Sequence, residues 1–264
     1  MAVFAVLPDG RSGFAVVRRS LPPSTPSTPF APSPRSPVKL IRCRSARDLE
    51  GVLQRRLIEA IVLGTRTARR TDLDNLRARY PTIPVVILGE VRAEDAERLT
   101  AWDRAGVAVL LVEGVEDSVT GDLLLRHAAS RRRHAALTDF PRLLRLTERL
   151  QLGAWEQMAS APGRPASPAV IAAQLRVSRE HLSRQFGAGG APNLKRVSDL
   201  LTVQRGMDLL MNPGYSIATV ARLLGFASPS HLRTVVRRVA GVSLEEARVL
   251  TPRDLLRRFL RLSH

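Results

Sequence analysis

Ser216-Ile217-Ala218-Thr219-Val220-Ala221-Arg222-Leu223-Leu224-Gly225-Phe226-Ala227-Ser228-Pro229-Ser230-His231-Leu232-Arg233-Thr234-Val235-Val236-Arg237-Arg238 reads as two short helices joined by a tight turn. Ser216 carries the side-chain oxygen that caps a first helix, and Gly225 supplies the positive φ that ends one. Ser228 caps a second helix, with Pro229 at its first position, where the missing N–H costs nothing. Phe226 stands in the turn, placed to plug the angle between the helices.

The pattern repeats 50 residues upstream: Ser178 aligns with Ser228, Leu182 with Leu232 and Phe186 with Val236. There Ser167 and Pro168 open a first helix, and Val170, Ile171, Leu175 and Val177 are read as packing inward. Ser178 caps a second helix whose apolar face, Leu182 and Phe186, has i, i+4 spacing. The turn between them is about three residues, as a helix-turn-helix requires. A helix over Asn193 to Met211 is predicted to join the two units.

Charge follows the same division. The 264 residues carry a formal +17. Residues 1–130 hold 19 Lys+Arg against 15 Asp+Glu, whereas residues 131–264 hold 22 against 9, so most of the excess sits in the C-terminal half. A basic domain beside a near-neutral one suits a polyanion such as nucleic acid, because each phosphate contact needs a cationic or donor group. The alternative for so arginine-rich a chain is compositional bias; the asymmetry between the halves argues against it.

The segment resembles the C-terminal DNA-binding domain of AraC/XylS-type transcription regulators, which holds two such units joined by one long helix. The resemblance rests on Ser216-Ile217, Val220-Ala221, Gly225-Phe226 and Ser228, with Gly241 and Arg248 downstream, and covers roughly residues 140–250. Leu232, Val236, Leu244, Ala247, Gly206 and Thr234 depart from the residues usual in that family. The resemblance implies double-stranded DNA as partner and leaves room for RNA polymerase. Recognition helices fit the major groove, two of them about 34 Å apart on one face of the duplex. On the first, Arg179, Glu180, Ser183 and Arg184 lie opposite the apolar face; Arg184 suits guanine and Glu180 cytosine. On the second, Ser230, Arg233, Thr234 and Arg237 face out, and the capped amides at Ser178 and Ser228 can hold phosphates.

Upstream, Pro141 to Met158 reads as one helix with Leu143, Leu144, Leu146, Leu150, Leu152 and Trp155 as its core face. Residues 38–128 alternate short apolar runs with helical periods: strands at Val38–Ile41, Ala60–Gly64, Pro84–Gly89 and Val107–Val112, helices at 46–59, 71–80, 94–105 and 117–129. Continuous β-branched runs between helices indicate a parallel sheet covered on both faces. The fold class is therefore α/β plus all-α: a doubly wound domain over 1–130 and a helical domain over 131–264. The runs 2–7 and 14–17 around Pro8-Asp9-Gly10 suit a hairpin or strand, and the Pro/Ser-rich residues 20–37 are assigned no structure.

The α/β half resembles a response-regulator receiver domain in element order, in Tyr80-Pro81 with Pro84-Val85-Val86-Ile87, and in Ala105-Gly106-Val107. Where receivers carry a phospho-accepting Asp, a Ser/Thr and a Lys after strands three, four and five, this chain has Gly64, Gly89 and Glu113; of their acidic pair only Asp9 has a match. Phosphotransfer then has no route, and the reading is a degenerate receiver used for homodimerisation or signal input, with helix 94–105 and strand 107–112 as candidate dimer elements; the alternative is an unrelated α/β sensor domain.

Other classes find little support. One cysteine, Cys43, excludes an internal disulfide or a cysteine-based zinc site. The five histidines have no paired ligand spacing, and no P-loop or His-Glu-x-x-His occurs, so no catalytic residue, metal or cofactor is expected. No apolar run is long enough to span a bilayer, and the N-terminus lacks the basic region of a signal peptide, which points to a cytoplasmic protein without a membrane partner. The rival reading is a protein-interaction module whose degenerate helix pairs no longer read bases. The tail, Pro252 to Leu262, alternates Leu and Phe with Arg253, Arg257, Arg258 and Arg261 and admits packing, DNA backbone or anionic lipid as its partner.

Overall fold

The computed structural model describes residues 2–9, 38–91, 95–115 and 120–262. They divide into two compact units, Met1–Arg132 with Asn212–Gly214, and Arg133–Met211 with Tyr215–His264.

In the first unit, β1 (Ala2–Leu7), β2 (Val38–Arg42), β3 (Ala60–Gly64), β4 (Val85–Gly89) and β5 (Val109–Val112) form one parallel sheet in the order β2-β1-β3-β4-β5. Register places Val6 beside Val62, Val62 beside Val86, and Val86 beside Val109, so one row of β-branched side chains crosses four strands. That row belongs to a core face built with Phe4, Ala60, Leu88, Leu111, Leu124 and Ala128. Every residue of β3 and β4 is buried, as expected of strands covered on both sides. The order is the doubly wound one in which the chain reverses direction between β1 and β3, leaving a crevice at the carboxyl ends of those strands.

Around the sheet lie α1 (Ala46–Arg55), α2 (Thr65–Arg70), α3 (Leu73–Arg79), α4 (Ala96–Arg104) and α5 (Thr120–His127). Residues 2–7 form a strand flanked on both sides by parallel partners. Phe4, Ala5, Val6 and Leu7 are all buried, which an exposed hairpin arm cannot achieve. The run 14–17 and the segment 20–37 lie outside the described residues. The helix α2 has no apolar period to announce it; Asp9, far away in sequence, creates its start.

After α6 (Ala129–Ala136), the second unit contains α7 (Phe140–Leu143), α8 (Arg149–Ala159), α9 (Pro168–Gln174), α10 (Arg179–Phe186), α11 (Leu194–Leu210), α12 (Ile217–Leu223), α13 (Pro229–Ala240), α14 (Leu244–Ala247) and α15 (Pro252–Arg261). The expected single helix over Pro141 to Met158 is broken. Arg145 adopts a left-handed backbone at φ 58°, and the chain re-enters helix only at Arg149. The break turns Leu144 and Leu146 inward and leaves Leu143 and Leu152 each 41% exposed, so neither belongs to the core. Val170, also expected inward, is exposed, because Ile171 and Ala172 take the buried face of α9. No helix among the described residues is long and apolar enough to cross a membrane.

Candidate nucleic-acid interface

Two helices present polar edges from one scaffold. In α10, the Ser178 hydroxyl accepts from the His181 amide at 3.1 Å; in α13, the Ser228 hydroxyl accepts from the His231 amide at the same distance. Each cap satisfies a donor that the first turn would otherwise leave open. Below the caps, Leu182 and Phe186 in α10, and Leu232 and Val236 in α13, are fully buried at 0% exposure. Fixing those pairs inward fixes which residues face out. Arg179, Glu180, Ser183 and Arg184 are exposed on α10, and Ser230, Arg233, Thr234 and Arg237 on α13. Ser178 is exposed and Ser228 half-buried. Thr234 spends its hydroxyl hydrogen on the Ser230 carbonyl at 3.0 Å, within its own helix.

Several residues that set these edges carry no signal in the linear sequence. Gln151 of α8 is buried. Its Oε1 accepts from the Thr147 and Glu148 amides at 2.9 and 3.0 Å. Its Nε2 donates to the carbonyls of Phe186, Ala188 and Gln185 at 3.0, 3.2 and 3.3 Å. Those carbonyls belong to the last turn of α10 and the loop beyond it, where no intrahelical donor reaches. One amide thus starts α8 and closes the first recognition helix. On the second, Arg238 donates to Asp199 of α11 at 2.8 Å, and Lys195 to the same carboxylate at 3.0 Å. Arg248 reaches the Leu210 carbonyl at 3.0 Å and ends α11.

The joining helix α11 runs 17 residues, about 25 Å at 1.5 Å per residue. It packs against α8 on the side of the first helix-turn-helix and against α12 and α13 on the side of the second. Gly206 makes the second approach close: a Cβ there would lie 3.4 Å from Leu224 and 3.8 Å from Leu232. The loop between α8 and α9 reaches the joining helix and the second helix-turn-helix. Arg205 donates to the Pro162 carbonyl at 2.7 Å, and the Arg164 guanidinium sits 5.8 Å from the centroid of Phe226, the turn residue of the second unit. Phe226 in turn meets His231 edge-on at 5.3 Å.

At the crevice of the sheet domain, Asp9 and Thr65 stand beside the ends of β3 and β4. Asp9 accepts from the Thr67 and Arg66 amides at 2.6 and 2.7 Å and from the Thr65 hydroxyl at 3.1 Å, so its carboxylate caps α2. A Cβ on Gly64 would fall on that carboxylate, and one on Gly89 would lie 2.8 Å from the Thr65 hydroxyl. The two glycines stand where side chains would collide with the cap.

Residues 171–249 match the family model described as a helix-turn-helix domain. This region is an AraC-type helix-turn-helix domain. Such a domain is that of a DNA-binding transcription regulator. The match takes in most of α9 and all of α10 to α14 and stops short of α15. No curated protein matches the chain significantly. Among solved structures, full-length FixJ from B. japonicum is similar at 12% identity, with 92% of this chain and 98% of that one covered and a TM-score of 0.36. That score is too low to say that the two chains share one overall arrangement.

Proposed function

We propose that the chain is a sequence-specific transcription regulator that lays α10 and α13 into successive major-groove turns of one DNA duplex. The observation that carries this reading is the matched pair of capped helices, each with its apolar side fully buried and its polar edge exposed, held on one joining helix. In this reading Arg184 reads a guanine edge in the first half-site and Arg233 in the second, Glu180 accepts from cytosine, and Arg179, Ser183, Ser230, Thr234 and Arg237 complete the contact surface. The amides at the Ser178 and Ser228 caps hold phosphates and fix register.

The first unit then serves dimerisation or signal input without phosphoryl transfer. The Asp9 cap and the two glycines support this, since Gly64 offers no acceptor side chain and the space beside it is taken by the Asp9 carboxylate. Homodimer formation through this unit and contact with RNA polymerase belong to the same proposal. Fluorescence anisotropy with a random duplex at rising salt tests the DNA reading. A steep negative dependence of log K on log[salt] is expected. A slope near zero would favour a protein-interaction module instead.

A further inference from the structure

The tail helix α15 is strongly two-sided. Leu255, Leu256 and Phe259 are buried, and the helix packs on α13 and α11. Its apolar face is therefore occupied and is not available to a lipid surface. At 100° per residue, Arg253, Arg257, Arg258 and Arg261 lie off the buried side, and all four are exposed. Two of these cations have carboxylate partners: Arg253 pairs with Asp139 at 2.6 Å and Arg257 with Asp254 at 3.3 Å. Among the described residues, no hydrogen bond or ion pair engages the side chains of Arg258 and Arg261, both exposed.

Their position relates them to the second recognition helix. The end of α15 lies beside the end of α13: a Cβ on Gly241, the residue closing α13, would be 3.1 Å from Leu262. Glu246 of α14 makes the same connection. Its carboxyl is held below the usual range first by the Ser243 amide and hydroxyl, and further by the nearby guanidinium groups of Arg258 and Arg237. The charges of Arg258 on α15 and Arg237 on α13 are thus both felt at one carboxylate.

We infer that α15 is a second DNA-contacting element, whose Arg258 and Arg261 grip the phosphate backbone alongside the half-site that α13 enters. This rests on the DNA reading above and extends its footprint beyond the helix-turn-helix match, which ends at residue 249. Backbone contacts of this kind add affinity on every sequence and leave base preference untouched.

The test compares the full chain with R258Q/R261Q on a selected duplex and on a random one, by anisotropy from about 50 to 200 mM KCl. Each lost phosphate contact removes about 0.9 from the slope of log K against log[salt], so the variant slope is expected to be shallower by about 1.8 on both duplexes. The ratio of specific to random affinity stays constant. A thermal melt matching the parent establishes that the helix remains folded, as surface changes should allow. An unchanged slope in a folded variant overturns the inference while the DNA reading stands, and so does a loss confined to the selected duplex. A parental slope near zero overturns both.

Discussion

The two helix-turn-helix units share a plan and differ in how each holds its recognition helix. Both cap with serine, and both bury the residues four and eight positions on. The first unit turns through Arg176, a non-glycine residue at φ 57°; the second turns through Gly225 at φ 70° and takes one residue more before its cap. The first recognition helix ends on a buried amide, Gln151, in a neighbouring helix. The second runs longer, ends at Gly241 in the left-handed conformation, and is tied down by the Arg238–Asp199 pair and by α15. The same external shape is thus reached by a single internal clamp in one unit and by added helical neighbours in the other.

That contrast yields its largest test in the cores. Phe186→Ala empties a fully buried aromatic site and is expected to cost about 3–5 kcal/mol. Val236→Ala removes fewer buried carbons and should cost less. Urea unfolding in a Trp102→Phe background, where buried Trp155 alone reports, measures both; equal losses would mean the two sites are not equivalent core positions.

The clamp comes next. Gln151→Leu strands the carbonyls at the end of α10 and should destabilise by about 1–3 kcal/mol. Recognition of the first half-site should weaken while the second keeps its base preference. Equal damage at both half-sites would show that the amide supports the whole domain rather than one helix.

At the polar edges, Arg184→Ala and Arg233→Ala should each relax preference at one base position, by about 1–3 kcal/mol of discrimination. Thr234→Ala should change little, since its hydroxyl hydrogen is already used inside the helix. A uniform loss on every sequence would reassign an arginine to the phosphates. The turn is the smallest of the changes in stability. Arg176→Gly relieves a left-handed non-glycine residue and should raise stability by about 1 kcal/mol, read from the urea midpoint.

Those parts that obey a local rule were legible in the sequence. The serine caps, the i, i+4 apolar pairs, Gly225 and the β-branched strands each declare themselves within a few residues, and the structure has each of these elements. What escaped depends on distant partners. Nothing near Gln151 says that it meets the end of α10 some 35 residues on. Nothing near Thr65 says that Asp9 caps the helix beginning there, so α2 went unforeseen. The leucine spacing through 143–152 fits one helix well; the left-handed Arg145 breaks it, with Leu144 and Leu146 buried on either side. Gly64 and Gly89 are visible as missing chemistry, and only the structure shows Asp9 and Thr65 in the space their side chains would need.

In the proposed function, α10 and α13 read one duplex together. Selection of bound sequences from a random DNA library by the full chain addresses it most directly. The selected sequences should hold a bipartite motif whose two blocks lie about 10 base pairs apart, with Arg184→Ala degrading one block and Arg233→Ala the other. Enrichment of no motif, or of a single block insensitive to both substitutions, would contradict it.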